Sequence, residues 1–331
     1  MAGRAGACAL IIAAVLSLTQ ALDGTPASAG PPEPTFAGAS VRAPLPAGAD
    51  DRRRQVFTLG TFARLGTLAP PALVPAAIEV IPRGRAAVNV PILMYHYVRV
   101  NPVPWDRLGF GLSVTPTDFE AQVSWLAANG YHAIDLRDLE GYLAGARDLP
   151  SRPVVFTFDD GYEDFYTTAY PILRAHHYTA VSYVVTGFMG APRYLSAAQV
   201  VELDAAGVEI AAHTVSHPDL TRLSAASLRH EVTDAKAMLE GLLGHPVLDF
   251  CYPSGRLDAA VVQEVQAAGF LSATTTATGT LHSVGDRFTW SRVRVEGGEP
   301  LATFVQNLGP SEPTMPVDVL VPRSRLSLVA P

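Results

Sequence analysis

Residues 154–162 read VVFTFDDGY, and this stretch decides the fold class. Its first five residues are apolar or β-branched without alternation, which predicts a strand that is covered on both faces. Two carboxylates, Asp159 and Asp160, follow directly, and Gly161 lets the chain turn. Active sites of parallel α/β folds lie at such strand ends. An Asp pair taken alone is also typical of turns, but adjacent carboxylates repel each other unless they share a cation or a proton.

Similar apolar runs recur along the chain and alternate with helical patterns. Thr115, Ser224 and Asp258 are suited to begin helices, and Gly130, Gly244 and Gly269 are suited to end them. Repeated strand–helix units predict parallel pairing with right-handed crossovers. We therefore expect an α/β fold, a distorted (β/α) barrel of seven to eight units in a single catalytic domain, with an open doubly wound sheet as the alternative. The predicted strands lie at 91–95, 133–136, 154–158, 180–185, 208–212, 247–252 and 271–276.

The first residues resemble an export signal. Arg4 precedes the apolar run 9–16, and Ala27-Ser28-Ala29 fits a cleavage site with small residues. We expect a signal peptide over 1–29 and a secreted or cell-envelope location. Earlier cleavage near Ala21 and an uncleaved anchor are the alternatives, although the run is shorter than the roughly 20 residues of a membrane span.

The remaining chain divides into three parts by composition. Residues 30–87 are rich in Pro, Ala and Gly and predict a linker. Residues 88–308 carry the strand–helix rhythm of the catalytic domain. Residues 309–331 form a Pro-rich tail that is either extended or disordered.

Composition restricts the class of partner. A net charge of −7 argues against nucleic acid, which needs a concentrated basic surface. A hydrophobic content of 48% suffices for a large core. We expect a monomer with no stable membrane span once the signal is removed.

A second polar cluster follows another predicted strand. Residues 209–218 read EIAAHTVSHP, so His213 and His217 stand four residues apart after an apolar run. Two such histidines alone are more typical of a surface. Together with the strand-end Asp pair, they form a carboxylate and imidazole set that suits a divalent metal, with Zn²⁺ the expected ion.

Both motifs resemble those of a known family. TFDDGY followed by HTVSH is similar to the first two motifs of the polysaccharide deacetylases, the carbohydrate esterase family 4 or NodB-homology domain. The likeness covers about residues 89–308. The opening PILMYHYV at 91–98 also resembles the branch that acts on poly-N-acetylglucosamine.

The resemblance implies roles for individual residues. Asp160, His213 and His217 would bind the metal, and Asp159 would be the base that takes a proton from the attacking water. Residues 250–256, FCYPSGR, resemble the third motif, in which the backbone N–H of Tyr252 would donate to the oxyanion.

Two roles depart from the family pattern. The third motif usually carries an arginine where this chain has Cys251, and Arg292 is our candidate to orient the base in its place; a structural ion pair is the other interpretation of Arg292. The late Leu-x-His motif has no clean match. His96, which ends the first strand, and His282 are the candidates for the general acid.

Aromatic residues provide candidates for stacking on sugar rings. These are Tyr95, Trp105, Tyr162 and Trp290, although packing in the core or at the rim is the simpler interpretation of each. The expected activity is removal of N-acetyl groups from a polysaccharide or oligosaccharide such as poly-N-acetylglucosamine, peptidoglycan or a chitin-like chain. O-deacetylation of an esterified polymer, and a non-catalytic glycan-binding protein on the same barrel, are the alternatives.

Overall fold

The computed structural model of the protein describes residues 73–322. The predicted signal peptide over 1–29 and the greater part of the predicted linker, up to residue 72, lie outside the described residues. The last residues of the predicted tail, 323–331, also lie outside them.

The described chain alternates strands with helices. The strands are β1 (Leu73–Ile81), β2 (Ala87–Asn89), β3 (Ile92–Tyr95), β4 (Tyr97–Val98), β5 (Ser113–Val114), β6 (His132–Ala133), β7 (Leu149–Pro150), β8 (Pro153–Phe158), β9 (Val181–Val184), β10 (Glu209–Ala212), β11 (Asp249–Cys251), β12 (Ser272–Thr278), β13 (Leu281–Ser283), β14 (Trp290–Arg294) and β15 (Met315–Pro322). The α-helices are α1 (Arg107–Gly111), α2 (Pro116–Ala128), α3 (Leu136–Leu143), α4 (Tyr170–Ala175), α5 (Ala197–Ala205), α6 (Ala225–Arg229), α7 (Ala235–Leu243), α8 (Ala259–Ala267) and α9 (Leu301–Asn307). Two π-helical turns, Phe165–Ala169 and His230–Asp234, lead into α4 and α7.

Seven parallel strands close into a barrel, which confirms the predicted fold class. Their order is β3, β14, β12, β11, β10, β9 and β8, and pairing of β8 with β3 closes the ring. The prediction of a barrel strand at 133–136 is wrong. Only β6 forms there; it pairs with the start of β8 beside the barrel, and Leu136 already begins α3. The seventh barrel strand is instead β14.

Local sequence signals begin and end the helices as predicted. The Thr115 side chain accepts a hydrogen bond from Asp118 N at the start of α2, where Pro116 is the first helical residue. Ser224 caps α6 in the same way. Gly244 ends α7 with φ +78°, a conformation that costs glycine little.

Side chains of the barrel strands divide between two cores because successive residues point to opposite faces. One core lies between the strands and the helices and includes Phe156, Ile210 and Phe250. The other fills the barrel and includes Val155 and Ala211. Asp159 and His213 continue this second set and lie at the carboxyl end of the barrel.

Two acids are buried together near the amino ends of β10 and β11. Glu209 is 4% exposed and Asp249 is fully buried, and the two carboxyl groups lie close enough for each to shift the pKa of the other. Glu209 Oε2 also accepts from Leu136 N at 2.9 Å, and Ser272 donates its hydroxyl to Asp249 Oδ1. Burial and the neighbouring carboxyl group raise the pKa of Glu209 well above its ordinary value.

A three-stranded antiparallel sheet flanks the barrel in the order β15, β1, β7. Its pairing runs from Leu73 with Pro322 to Val80 with Met315. Regular structure therefore extends into the stretches predicted as linker and tail. Within residues 73–322, no helix is long and apolar enough to cross a membrane.

Candidate metal centre and active site

Three strands deliver the predicted site residues to the carboxyl end of the barrel. Asp159 and Asp160 follow β8, His213 follows β10 and His96 follows β3. His217 lies in the loop that continues from His213. The closed ring explains why segments far apart in the chain meet here, since the carboxyl ends of all barrel strands surround one opening.

The predicted metal ligands converge on one point. Asp160 Oδ1 lies 3.5 Å from His213 Nε2 and 3.3 Å from His217 Nε2. One ligand atom from each residue falls within 4.8 Å of the others. A carboxylate and two imidazoles at these separations fit a divalent cation between them, with open positions for water or substrate.

Hydrogen bonding prepares His213 for this role. His213 Nδ1 lies 2.7 Å from the carbonyl oxygen of Cys251. Because a carbonyl oxygen can only accept, Nδ1 carries the hydrogen and Nε2 presents its lone pair to the cluster. Where His213 is also protonated at Nε2, its hydrogen bond and charge hold the pKa of Asp160 below its usual value against the effect of burial.

The loop between the two histidines is held in a strained form. Thr214 and His217 have φ values of +69° and +57° there, and Asp160, which follows β8, has φ +74°; residues with a Cβ atom rarely adopt such values. The nearly buried carboxylate of Glu231 accepts from Val215 N and Ser216 N at 2.9 and 2.8 Å. Glu231 therefore fixes the loop that carries His217.

Asp159 forms a buried, bidentate ion pair with Arg292. Arg292 Nη1 and Nη2 donate to the two carboxylate oxygens of Asp159 at 2.7 and 2.8 Å. The guanidinium is anchored in turn by Thr157 Oγ1 at 3.0 Å and the Thr275 carbonyl at 2.8 Å. Burial alone would raise the pKa of Asp159, but the charge and hydrogen bonds of Arg292 hold it well below its usual range. Each oxygen keeps a lone pair that can accept from water.

Cys251 completes this corner of the site. Its buried Sγ accepts from Arg292 Nη2 at 3.3 Å and lies 3.8 Å from Asp159 Oδ2. Asp159, His213 and Cys251 form a second group of potential ligands. The positively charged guanidinium of Arg292 already contacts Asp159 and Cys251 where a metal ion would lie. This second group therefore does not fit a metal.

His96 borders the same carboxylate. Its Nε2 lies 3.9 Å from Asp159 Oδ2, and its side chain is 14% exposed. Burial lowers the pKa of His96 although Asp159 and Asp160 act in the opposite direction. His96 therefore stands at the mouth as a largely buried imidazole.

The structure corrects the roles predicted for Tyr252 and His282. The Tyr252 N–H donates to the Thr274 carbonyl at 3.2 Å as part of the barrel ladder, so it is not a free oxyanion donor. His282 is fully buried and bonds through Nε2 to the carbonyl of Val90, which precedes β3. It therefore lies at the amino end of that strand, whereas the candidate metal ligands lie at the carboxyl ends, and it cannot protonate a leaving group there.

Two of the aromatic candidates are also unavailable to a sugar. Tyr95 and Trp290 are fully buried. Tyr162 is half-buried at the mouth and stacks on Tyr97 with ring centroids 3.7 Å apart. Trp105 is 84% exposed.

Sequence reasoning missed several residues that support the site. Thr157 and the Cys251 carbonyl act through their neighbours, and nothing in the sequence indicated them. Glu231 could have been found from the sequence. It is an acid at a position that shares a helical face with the buried Leu228, three residues earlier, where an apolar residue is expected.

Comparison with known proteins identifies the family. The family model described as polysaccharide deacetylase matches residues 146–273. The solved deacetylase PplD of Streptococcus pyogenes, in complex with acetate, is 30% identical with a TM-score of 0.63, and the match covers 67% of this chain and 99% of PplD. YxkH of Bacillus subtilis is 28% identical over 216 residues, which are 65% of this chain and 75% of YxkH.

A shorter match concerns an enzyme with a named substrate. The poly-β-1,6-N-acetyl-D-glucosamine N-deacetylase of Escherichia coli is 37% identical over 81 residues. These residues are 24% of this chain and 12% of that protein. The chain thus belongs to the polysaccharide deacetylase family, whose members are hydrolytic deacetylases.

Proposed function

We propose that the protein is a metal-dependent hydrolase that removes N-acetyl groups from a glucosamine-containing glycan outside the cytoplasm. The observation that carries this proposal is the convergence of Asp160, His213 and His217 beside an Asp159 that Arg292 holds in place. The N-deacetylases of Escherichia coli and Staphylococcus aureus, 37% and 33% identical over short segments, support the choice of an N-acetylated glycan.

Each residue of the site has a separate role in the proposed reaction. A Zn²⁺ ion held by Asp160, His213 and His217 would supply Lewis acidity at the acetyl carbonyl and lower the pKa of the attacking water. Asp159 accepts the proton of that water, and Arg292 keeps the carboxylate ionised and oriented. His96, 3.9 Å from Asp159, passes the proton that Asp159 has taken up to the amine as the carbon–nitrogen bond breaks, so both residues return to their starting state. Water and the amide are thereby converted into acetate and a free amine.

Export is part of the proposal and is supported by the sequence alone. The apolar run 9–16 after Arg4 and the small residues 27–29 support removal of a signal peptide. The catalytic domain over 88–308 would then be released with the linker in front of it. Mass spectrometry of the chain from the culture medium should show an amino terminus near residue 30; an intact amino terminus would contradict this.

Acetate release from the purified chain tests the activity. N-acetylglucosamine oligomers with β-1,6 and β-1,4 links are assayed after treatment with a chelator and again after addition of Zn²⁺. Activity should disappear with the chelator and return with the metal. Asp159→Asn should lack activity while still binding Zn²⁺, and His230→Gln, which changes an exposed histidine paired with Asp234, should be unaffected. The proposal fails if no oligomer releases acetate with any of several divalent metals.

A further inference from the structure

The two histidines of the candidate metal centre are held in different ways. The carbonyl of Cys251 orients the ring of His213 and fixes which nitrogen faces the cluster. The ring of His217 has no such bond to a carbonyl or a second carboxylate within residues 73–322, and its side chain is 30% exposed beside Asp160. The position of His217 Nε2 therefore depends on the backbone of its loop.

That backbone is held from two sides at Val215. The Val215 N–H donates to Glu231 Oε2 at 2.9 Å, and the Val215 carbonyl accepts from Gly187 N at 2.8 Å. The approach of Gly187 is close, because an added Cβ atom there would lie 2.5 Å from the Val215 carbonyl oxygen. Between them, these contacts keep Thr214 and His217 at positive φ values that are unfavourable for residues with a Cβ atom.

The carboxylate of Glu231 is directed entirely at this loop. Besides Val215 N, it accepts from Ser216 N at 2.8 Å and from the Ser216 hydroxyl at 2.5 Å. Glu231 is 7% exposed, and no basic side chain in the described part of the chain forms an ion pair with it. Hydrogen bonds to a charged acceptor are stronger than those to a neutral one. The two peptide groups that precede His217 are therefore firmly fixed.

The helical segment that carries Glu231 departs from regular α-helical geometry at this residue. His230–Asp234 form the π-helical turn between α6 and α7, and the adjacent residues Glu231 and Val232 are both buried. Val232 packs in the hydrophobic core, whereas Glu231 contacts the loop. A π-turn accommodates one extra residue, and such turns are frequent at functional sites. The turn thus presents a carboxylate to the loop while the core position beside it stays apolar.

We propose that Glu231 is a positioning residue of the metal centre and sets its affinity for the metal by holding His217 in place. Because the loop already has its binding conformation, the metal does not have to order it, and less of the binding energy is lost. Without Glu231, the loop would relax from its unfavourable φ values, and His217 Nε2 would leave its place 3.3 Å from Asp160 Oδ1. The inference rests on the proposed function, since it concerns the same metal.

The affinity for Zn²⁺, measured by competition with a chromophoric chelator, tests the inference. Glu231→Ala should weaken Zn²⁺ binding about 10- to 100-fold, which is the usual effect of losing a residue that supports a metal ligand. Glu231→Gln keeps one acceptor oxygen and should lose less. The matched control is Val232→Ala, which removes packing from the same π-turn and leaves the loop contacts in place. Its melting temperature should fall, while its affinity for Zn²⁺ should change less than about twofold.

Bound Co²⁺ provides a second measurement, because its visible absorption depends on the coordination of the metal. The spectrum of Glu231→Gln should move toward that of His217→Gln, in which the ligand is lost. Equal losses of Zn²⁺ affinity in the Glu231 and Val232 variants, or wild-type affinity and spectra in the Glu231 variants, would overturn the inference and leave the hydrolase intact. Selectively weaker binding in the Glu231 variants would support the inference even if the wild-type chain released no acetate and the proposed function failed.

Discussion

Replacing Arg292 by Met should leave Asp159 as a buried charge without a counter-ion. The side chains of Arg292 and Asp159 are 0% and 4% exposed, so water cannot take over the lost interaction. The substitution also removes the donors that reach Thr157 and the Thr275 carbonyl. A neutral side chain of similar length isolates the effect of the guanidinium group from that of volume.

The expected loss in free energy of unfolding follows from the burial of both side chains. Removing one partner of a buried ion pair costs about 3–5 kcal/mol, because the remaining charge stays desolvated. For a domain of this size, each kcal/mol lowers the melting temperature by about 2–4 °C. We therefore expect Arg292→Met to lower the melting temperature by roughly 6–20 °C.

Urea unfolding at pH 7 in the presence of a chelator measures this change without a contribution from bound metal. Asp159→Asn and the double variant complete a cycle, in which the two single losses should exceed the double loss by about 3 kcal/mol or more. Arg229→Met is the control, since that arginine is 68% exposed beside Glu264 and should cost less than about 1 kcal/mol.

The pH dependence of activity is a second measurement, and the direction of its expected change is defined. Arg292 holds the pKa of Asp159 below its usual range, and without it burial would raise that pKa. The acidic limb of the pH–rate profile should therefore move to higher pH in Arg292→Met. The reasoning is refuted if the variant unfolds within 1 kcal/mol of the wild type, or if the two substitutions are additive to within about 0.5 kcal/mol.

Three further changes test other parts of the structure. His217→Gln should weaken Zn²⁺ binding in equilibrium dialysis by more than about 100-fold, whereas the exposed His230→Gln should not; equal affinity would exclude His217 as a ligand. Gly255→Ala should destabilise the turn after β11, because Gly255 has φ +67° and its new Cβ atom would lie 2.8 Å from Thr276 N; an unchanged melting temperature would contradict this. Glu209→Gln should flatten the dependence of stability on pH. The raised pKa of Glu209 means that folding binds a proton, so wild-type stability falls as pH rises from the ordinary pKa of a glutamate through the folded value. The measurement is the difference between the two unfolding curves over about pH 5 to 8, because Glu140, whose pKa burial raises to about 7, contributes equally to both. An identical slope would be inconsistent with the raised pKa of Glu209.

The barrel was predictable where its strands are apolar throughout. The runs around Val155 and Ile210 matched β8 and β10 because both faces of these strands are covered, one by helices and one by the barrel interior. β14 was missed because Arg292 and Arg294 interrupt its apolar pattern. Both arginines lie on the face of β14 from which Arg292 contacts Asp159. The residues of the candidate site therefore break the apolar run by which a buried strand is predicted.

Contacts within the site were less predictable than the residues themselves. Short motifs were sufficient to predict the candidate metal ligands, since each motif follows a strand that ends at the same opening. Sequence alone could not show which end of a strand a later histidine would reach, and His282 was therefore misplaced. It also could not show that the Tyr252 N–H continues a ladder with Thr274.

The contact between Arg292 and Asp159 has a consequence for the order in which the chain folds. The two residues are separated by 133 positions, and β14 is the last barrel strand in the chain. A nascent chain that ends before β14 already contains both aspartates and both histidines, yet it lacks Arg292, which neutralises and orients Asp159. The hydrolytic centre is therefore completed only when the final strand closes the ring, and barrel closure itself acts as the step of maturation.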